Sequence, residues 1–307
     1  MSKIKKIYTF GTSFTEGGGF EFDKPTPTYN NDDLHSFYGH LDEELTRENF
    51  SWPGQMKKIC NNVEIINKAK SGYGNERLYR KTHEIIDSPS FKKDETLFIF
   101  EFSDVGRMEM YHNDIKDYII INYYHPWPPT EKDVLISGFA NTYYYDSRKT
   151  LDILERDKSL LTEYVEKSVD FYNKIDLLNR NIKMFISFLE YNEINYYILS
   201  SDHLKLDDSQ KVNSDLIKSR QVELDCSYEG ERDVFNDCMK LLTKHKLSIK
   251  DETDGFIQDG AHMGYFGNLL LANLLTKFLI KEGKILESEV NLRDIDMKSL
   301  HNRNGII

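Results

Sequence analysis

Cysteine is scarce: three residues in 307, Cys60, Cys226 and Cys238, scattered and odd in number. This excludes a disulfide framework, and the spacing fits no metal-ligand motif, so a reducing compartment with idle or buried thiols is expected. Positive charge is in deficit, with 40 Lys and Arg against 51 Asp and Glu and a formal net charge of −11. That argues against a nucleic-acid partner met through a basic face, and no Lys/Arg cluster interleaved with aromatics is present. There is no run of about 18 apolar residues, and no apolar export segment follows Met1. A soluble, cytoplasmic protein without a membrane span is therefore expected. Gly17-Gly18-Gly19 belongs to neither Gly-x-Gly-x-x-Gly nor Gly-Lys-Ser/Thr, which leaves a phosphate-loop protein as the weakest reading. Repeats, low-complexity tracts and linkers are also lacking. One domain over residues 1–307 follows.

What the chain does have begins at once. Ile4, Ile7, Tyr8 and Phe10 form a short β-branched and aromatic run that stops at Gly11 and has the composition of a buried strand. Ser13 comes two residues later, at the carboxyl edge where open α/β sheets hold their ligands. It is the first candidate nucleophile, although Gly-x-Ser after a strand is more often an ordinary turn.

Strand and helix patterns then alternate. Residues 20–50 read as a long polar loop, and Trp52–Cys60 as a short helix. Val63–Ala69 reads as a second strand, closed by Lys70-Ser71-Gly72-Tyr73-Gly74-Asn75 and a helix from about Glu76. Thr96–Phe102 is continuously apolar, as in a strand buried on both faces. Helical periodicity runs from about Leu151 to Tyr191, a fourth strand covers Asn195–Ser200, and Phe266–Lys281 reads as a final amphipathic helix. This order predicts an α/β fold on a parallel sheet. Two stretches break the rhythm and read as peripheral insertions: 111–150, crowded with aromatics, and the charged 202–250, with a helix expected over Val234–Lys244. The rings of the first either pack into their own small core or face substrate, with Trp127 the candidate for contact.

Three strand ends and one helix start carry usable chemistry. Ser13 is the first. Gly72 and Asn75 offer a backbone N–H and a side-chain amide. Ser103 and Asp104 follow the third strand, with Arg107 and Glu109 close behind. Arg107 and Glu109 form a local ion pair or, alternatively, Arg107 binds an anionic substrate group. Asp259-Gly260-Ala261-His262 precedes the last helix, and the three-residue spacing allows Asp259 to orient His262 on one side of a turn. The other histidines, His112 among them, read as surface or loop residues. Together these are the parts for acyl transfer: Ser13 attacks a carbonyl and His262 moves the proton. The N–H groups of Ser13 and Gly72, with the side chain of Asn75 or Ser103, receive the oxyanion.

Gly11-Thr12-Ser13-Phe14-Thr15-Glu16-Gly17 resembles the first block of the SGNH (GDSL-like) hydrolases, which holds their nucleophilic serine. Asn67-Lys68-Ala69-Lys70-Ser71-Gly72-Tyr73-Gly74-Asn75 is similar to their second block, whose glycine lends an N–H to the oxyanion hole. Asp259-Gly260-Ala261-His262, with Gly267-Asn268 downstream, is similar to their last. The resemblance implies a three-layer α/β/α sandwich around a parallel, flavodoxin-like sheet, with no metal and no cofactor. It also implies activity as an esterase, lipase or carbohydrate deacetylase on a small-molecule or glycan ester. One block departs: the family's Gly-x-Asn-Asp is Glu101-Phe102-Ser103-Asp104 here, so Ser103 stands where an oxyanion-binding asparagine is usual. Either Ser103 donates through its hydroxyl or Asn75 takes over, and the longer reach of a fixed amide donor favours Asn75. The Phe-Ser-x-x-x-Arg-x-Glu form resembles a branch found in bacteria and their phages. An O-acyltransferase shares the acyl-enzyme, and a catalytically weak glycan-binding or structural protein would keep the fold without the chemistry. Oligomeric state is not legible.

Overall fold

Four short apolar runs build the centre of the molecule. The structure, a computed structural model, describes residues 3–17, 51–70, 72–103, 107–124, 135–139, 171–199 and 265–292, together with 49, 156–157, 159–160, 163–164, 220, 222 and 263. In chain order the elements are β1 (Lys6–Phe10), the single helical turn α1 (Ser13–Glu16), α2 (Trp52–Ile59), β2 (Glu64–Asn67), α3 (Asn75–Ile86), β3 (Thr96–Glu101), β4 (Arg107–His112), β5 (Asp117–Tyr124), β6 (Leu135–Phe139), α4 (Phe171–Tyr191), β7 (Asn195–Leu199) and α5 (Tyr265–Lys281). The long loop at 20–50 apart from residue 49, the helix at Val234–Lys244 and the rest of the charged 202–250 stretch beyond 220 and 222 lie outside the described residues.

β2, β1, β3 and β7 form one parallel sheet in that order. Ile7 pairs with Ile65 on one side and Leu97 on the other, and Phe98 with Tyr196. Strand β1 is therefore central, and all six residues of β3 are buried, as a parallel strand covered on both faces requires. The chain leaves β1 for β2 on one side and crosses back to β3 on the other. The strand order thus reverses between β1 and β3, and a crevice opens beyond their carboxyl ends at such a reversal.

Period-two alternation gives the faces different chemistry. Ile7, Ile65, Leu97, Ile99 and Leu199 point to one side, where they pack with Trp52, Met56 and Ile59 of α2 and the apolar residues of α5. Phe10, Phe98, Phe100 and Phe102 point to the other and meet Leu78 of α3 and Ile182, Phe185 and Ile186 of α4. The rings form a continuous stack, Phe98 lying 5.7 Å from Phe100 and Phe100 meeting Phe185 edge-on at 5.3 Å, in the offset and edge-to-face geometries that aromatic quadrupoles prefer.

Local signals explain the helix starts. Ser51 accepts from the Gly54 N–H at 3.3 Å, with Pro53 in the first turn of α2. The final helix, expected to be amphipathic, is buried at every position from Gly267 to Asn273, which is the pattern of a helix covered on more than one side.

The stretch at 111–150, expected as an aromatic-rich insertion, opens in an antiparallel sheet of β4, β5 and β6, with Tyr111 opposite Tyr118 and a register shift at Asn122/Tyr123. The β-branched run Ile119-Ile120-Ile121 is what commits the segment to strands. Among the described residues no helix is long and apolar enough to cross a membrane.

Candidate active site

The turn after β1 is held from three directions. Phe10 pairs with Phe100, which sets Gly11 beside Glu101, the last residue of β3. Glu101 is fully buried. Its carboxylate accepts from the Thr12 N–H at 3.1 Å, from the Thr12 hydroxyl at 2.5 Å and from the Thr15 hydroxyl at 2.5 Å. From β2, the Asn67 amide donates to the Thr15 carbonyl at 3.0 Å. From α2, the Trp52 indole N–H donates to the Thr15 hydroxyl at 3.3 Å. A Cβ on Gly11 would stand 2.3 Å from the Glu101 carboxylate and 2.6 Å from the Thr15 hydroxyl, so only glycine fits there. A buried carboxylate is tolerable when it collects donors in this way. Ser13 follows as the first residue of α1 and is 6% exposed, next to Thr12.

The turn after β3 is built differently. Asn75 opens α3, and its side-chain amide donates to the Ser103 carbonyl at 2.9 Å while its side-chain carbonyl accepts from the Ser103 N–H at 2.8 Å. The pair mimics a strand ladder and fixes the Ser103 backbone. It also commits both ends of the Asn75 amide, the group favoured in the sequence for its reach as a fixed donor. The Ser103 hydroxyl is buried and has no hydrogen-bond partner among the described residues. Such an orphan in an otherwise satisfied surrounding calls for an explanation. Gly72 is buried with φ of +81°, a left-handed conformation that a side chain disfavours.

Between these turns lies a small cleft lined by Phe10, Gly11 and Thr12 from the end of β1, Glu101 and Ser103 from the end of β3, and Tyr73 to Arg77, apart from Glu76, with Leu78. It sits at the crevice where the strand order reverses. Ser13 and Gly72 adjoin this lining through Thr12 and Tyr73 without being part of it, and Arg107 is also outside it. Asp104, Trp127, Asp259 and His262 lie outside the described residues.

Met263, the residue after His262, is described and is buried against α2 and α5. Its carbonyl accepts from the Asn268 amide at 2.8 Å, and the Asn268 side-chain carbonyl accepts from the Trp52 N–H at 2.8 Å. Trp52 in turn reaches Thr15. A chain of side-chain hydrogen bonds thus runs from Met263 through Asn268, Trp52 and Thr15 to Glu101, and ends at Thr12 beside Ser13. Reading the sequence missed Glu101, Trp52 and Asn268 as site-building residues. A glutamate closing an apolar strand and an asparagine early in an apolar helix were the available signals.

Two side-chain pairs differ from expectation. Glu109 pairs with Arg80 of α3, at 3.0 Å, with its side chain 1% exposed. A local pair with Arg107 had been the alternative to anion binding. Burial pushes the Glu109 carboxyl up, against the pull of Arg80, and Arg80 also stacks on Tyr118 at 4.0 Å. The second is His112, read as a surface histidine. It ends β4 with a 12% exposed side chain, and its ring nitrogen lies 3.0 Å from Asp157. Arg156, followed by contact with His112, holds the Asp157 carboxyl down to about 2. No group of three metal-ligating side chains exists among the described residues.

Comparison with protein-family models, curated proteins and solved structures finds no match to this chain.

Proposed function

We propose that the chain is a serine esterase of the SGNH kind, a single three-layer α/β/α domain with a flavodoxin-like sheet and insertions at about 111–150 and 202–250. It cleaves a small acyl ester, O-acetyl on a sugar, glycan or other small alcohol being the expected case. The observation that carries this reading is the hydrogen-bonded chain from Met263 to Thr12. It ties the residue after His262 to the residue before Ser13 across most of the sequence.

In this mechanism the Ser13 hydroxyl oxygen attacks the ester carbonyl and its proton passes to His262, which Asp259 orients. The tetrahedral intermediate collapses, and the departing alkoxide takes that proton. Water then attacks the acyl-enzyme, gives its proton to His262, and a second collapse releases the acid and restores the serine. The oxyanion is received by the N–H groups of Ser13 and Gly72 and by the Ser103 hydroxyl, whose lack of a partner suits a donor awaiting charge. Asn75 acts on the oxyanion through Ser103, by fixing its backbone.

The test is p-nitrophenyl acetate turnover by the wild type beside Ser13→Ala and His262→Ala, with fluorophosphonate labelling of the serine. Each variant is expected to lose at least about a thousandfold in rate, and label is expected on wild type alone. Turnover should rise between about pH 5.5 and 7.5 as His262 loses its proton. Equal rates in parent and variants, without label, would leave a glycan-binding or structural role.

A further inference from the structure

The cleft holds one cation whose charge nothing in the described structure neutralises at contact range. Arg77, in the first turn of α3, is half-buried and lines the cleft with Ser103, Glu101 and Thr12. Its guanidinium donates to the Lys68 carbonyl at 2.6 Å and lies 4.8 Å from the centre of the Tyr73 ring. Those contacts fix the plane of the group, yet they use one of its five N–H donors. Arg80, one turn further along the same helix, is by contrast matched with Glu109 and with Glu84.

The surroundings sharpen the contrast. Burial pushes the Arg77 pKa down, offset by Tyr73, Glu109 and Glu16 and reinforced by Arg80. Glu101, the carboxylate in the same lining, is taken by the threonines of the first turn. Glu76 lies beside Gly74 and is not in the lining. A half-buried guanidinium with its plane fixed and most of its donors unspent is suited to a planar or tetrahedral oxyanion, which it binds through two parallel N–H groups. The chain as a whole carries a formal charge of −11, so general attraction does not bring an anion here. A local fork is needed.

We propose that Arg77 is a specificity-determining residue that binds an anionic group of the substrate, so that the ester cleaved carries a carboxylate or phosphate within a guanidinium's reach of the reacting carbonyl. The identity of the reaction rests on the esterase reading above; the anion site does not. Its place in the cleft differs from that expected of Arg107, which starts β4 outside the lining.

The experiment compares kcat/KM for p-nitrophenyl acetate, for p-nitrophenyl hemisuccinate (charge on the acyl side) and for 4-acetoxybenzoate (charge on the alcohol side). The proteins are the wild type, Arg77→Gln and Arg77→Lys, each checked for folding by circular dichroism. Calorimetric titrations with succinate, benzoate and inorganic phosphate run alongside. The ratio of one charged ester to the neutral ester is expected to fall about tenfold to a hundredfold in Arg77→Gln, the worth of a hydrogen bond to a charged group, with partial recovery in Arg77→Lys. The ester that responds tells which side of the substrate carries the charge. Ratios unchanged within about twofold in both variants overturn the proposal. If no ester turns over faster than with Ser13→Ala, the esterase reading fails and the titrations decide. An anion bound by wild type and weakened at least about tenfold in the variants then supports the site, while absent or equal binding overturns it. Should Arg77→Gln fail to fold, Arg77→Lys carries the comparison.

Discussion

The two turns that flank the cleft solve the same problem in opposite ways. After β1 the polar groups that meet Glu101 are used up, by Glu101 itself, Asn67 and Trp52. After β3 the backbone of Ser103 is equally well tied, by Asn75, but its hydroxyl is left without a partner. One turn spends its hydrogen bonds on holding its own shape, whereas the other keeps one in reserve beside a cleft. Stability and availability are thus assigned to different strand ends, so substitutions at each should read out differently.

The largest effect is expected at Glu101. Glu101→Ala strips the acceptor from the Thr12 N–H and from two threonine hydroxyls, and about 3–5 kcal/mol of stability should be lost. Urea unfolding measures it. A loss under about 1 kcal/mol would mean that the carboxylate does not hold the first turn. Next comes the pair at the second turn. Ser103→Ala should slow ester turnover about a hundredfold to a thousandfold, some 2.7–4 kcal/mol of transition-state stabilisation, while the melting temperature barely moves. Asn75→Ala should instead cost about 2 kcal/mol of stability, because it leaves the Ser103 N–H and carbonyl unpaired. If Asn75→Ala slows turnover more than Ser103→Ala and leaves stability intact, the oxyanion role passes to Asn75.

Gly11→Ala sharpens the comparison from the steric side. The new methyl collides with Glu101 and Thr15, and a penalty of about 1–3 kcal/mol is expected from overpacking. The smallest effect belongs to the scaffold away from both turns. Burial pushes the Cys60 thiol up to about 11, with a hydrogen bond to Thr276 pulling the other way. The folded state thus holds the thiol proton more tightly than the unfolded chain does. The associated stability is fully present below about pH 9 and is lost as pH rises towards 11. Melting curves across that window should show a steeper decline for wild type than for Cys60→Ala, and parallel declines would contradict the assignment.

Much of this architecture could be read from residue order. Apolar runs marked all four parallel strands, most plainly β3, which is buried at every position. Trp52-Pro53 and Gly72 marked a helix start and a turn for local steric reasons. What stayed hidden depends on register and distance. Glu101 reads as the polar end of a strand until the pairing of Phe10 with Phe100 places it against Thr12. Arg80 and Glu109, or His112 and Asp157, meet only because an antiparallel sheet and helices bring them together. The same limit applied to Asn75, whose reach as a donor is legible in the sequence but whose pairing with the Ser103 backbone is not.

Strand β1 lies inside its sheet although it precedes both of its neighbours in the chain. During synthesis those two neighbours follow it, and α5, which with α2 packs against its aliphatic face, comes after every described strand. A nascent chain therefore carries Ile4-Lys5-Lys6-Ile7-Tyr8-Thr9-Phe10 with every edge unmatched. Such a segment invites holding by a chaperone, and pairing between such distant partners makes for slow closure.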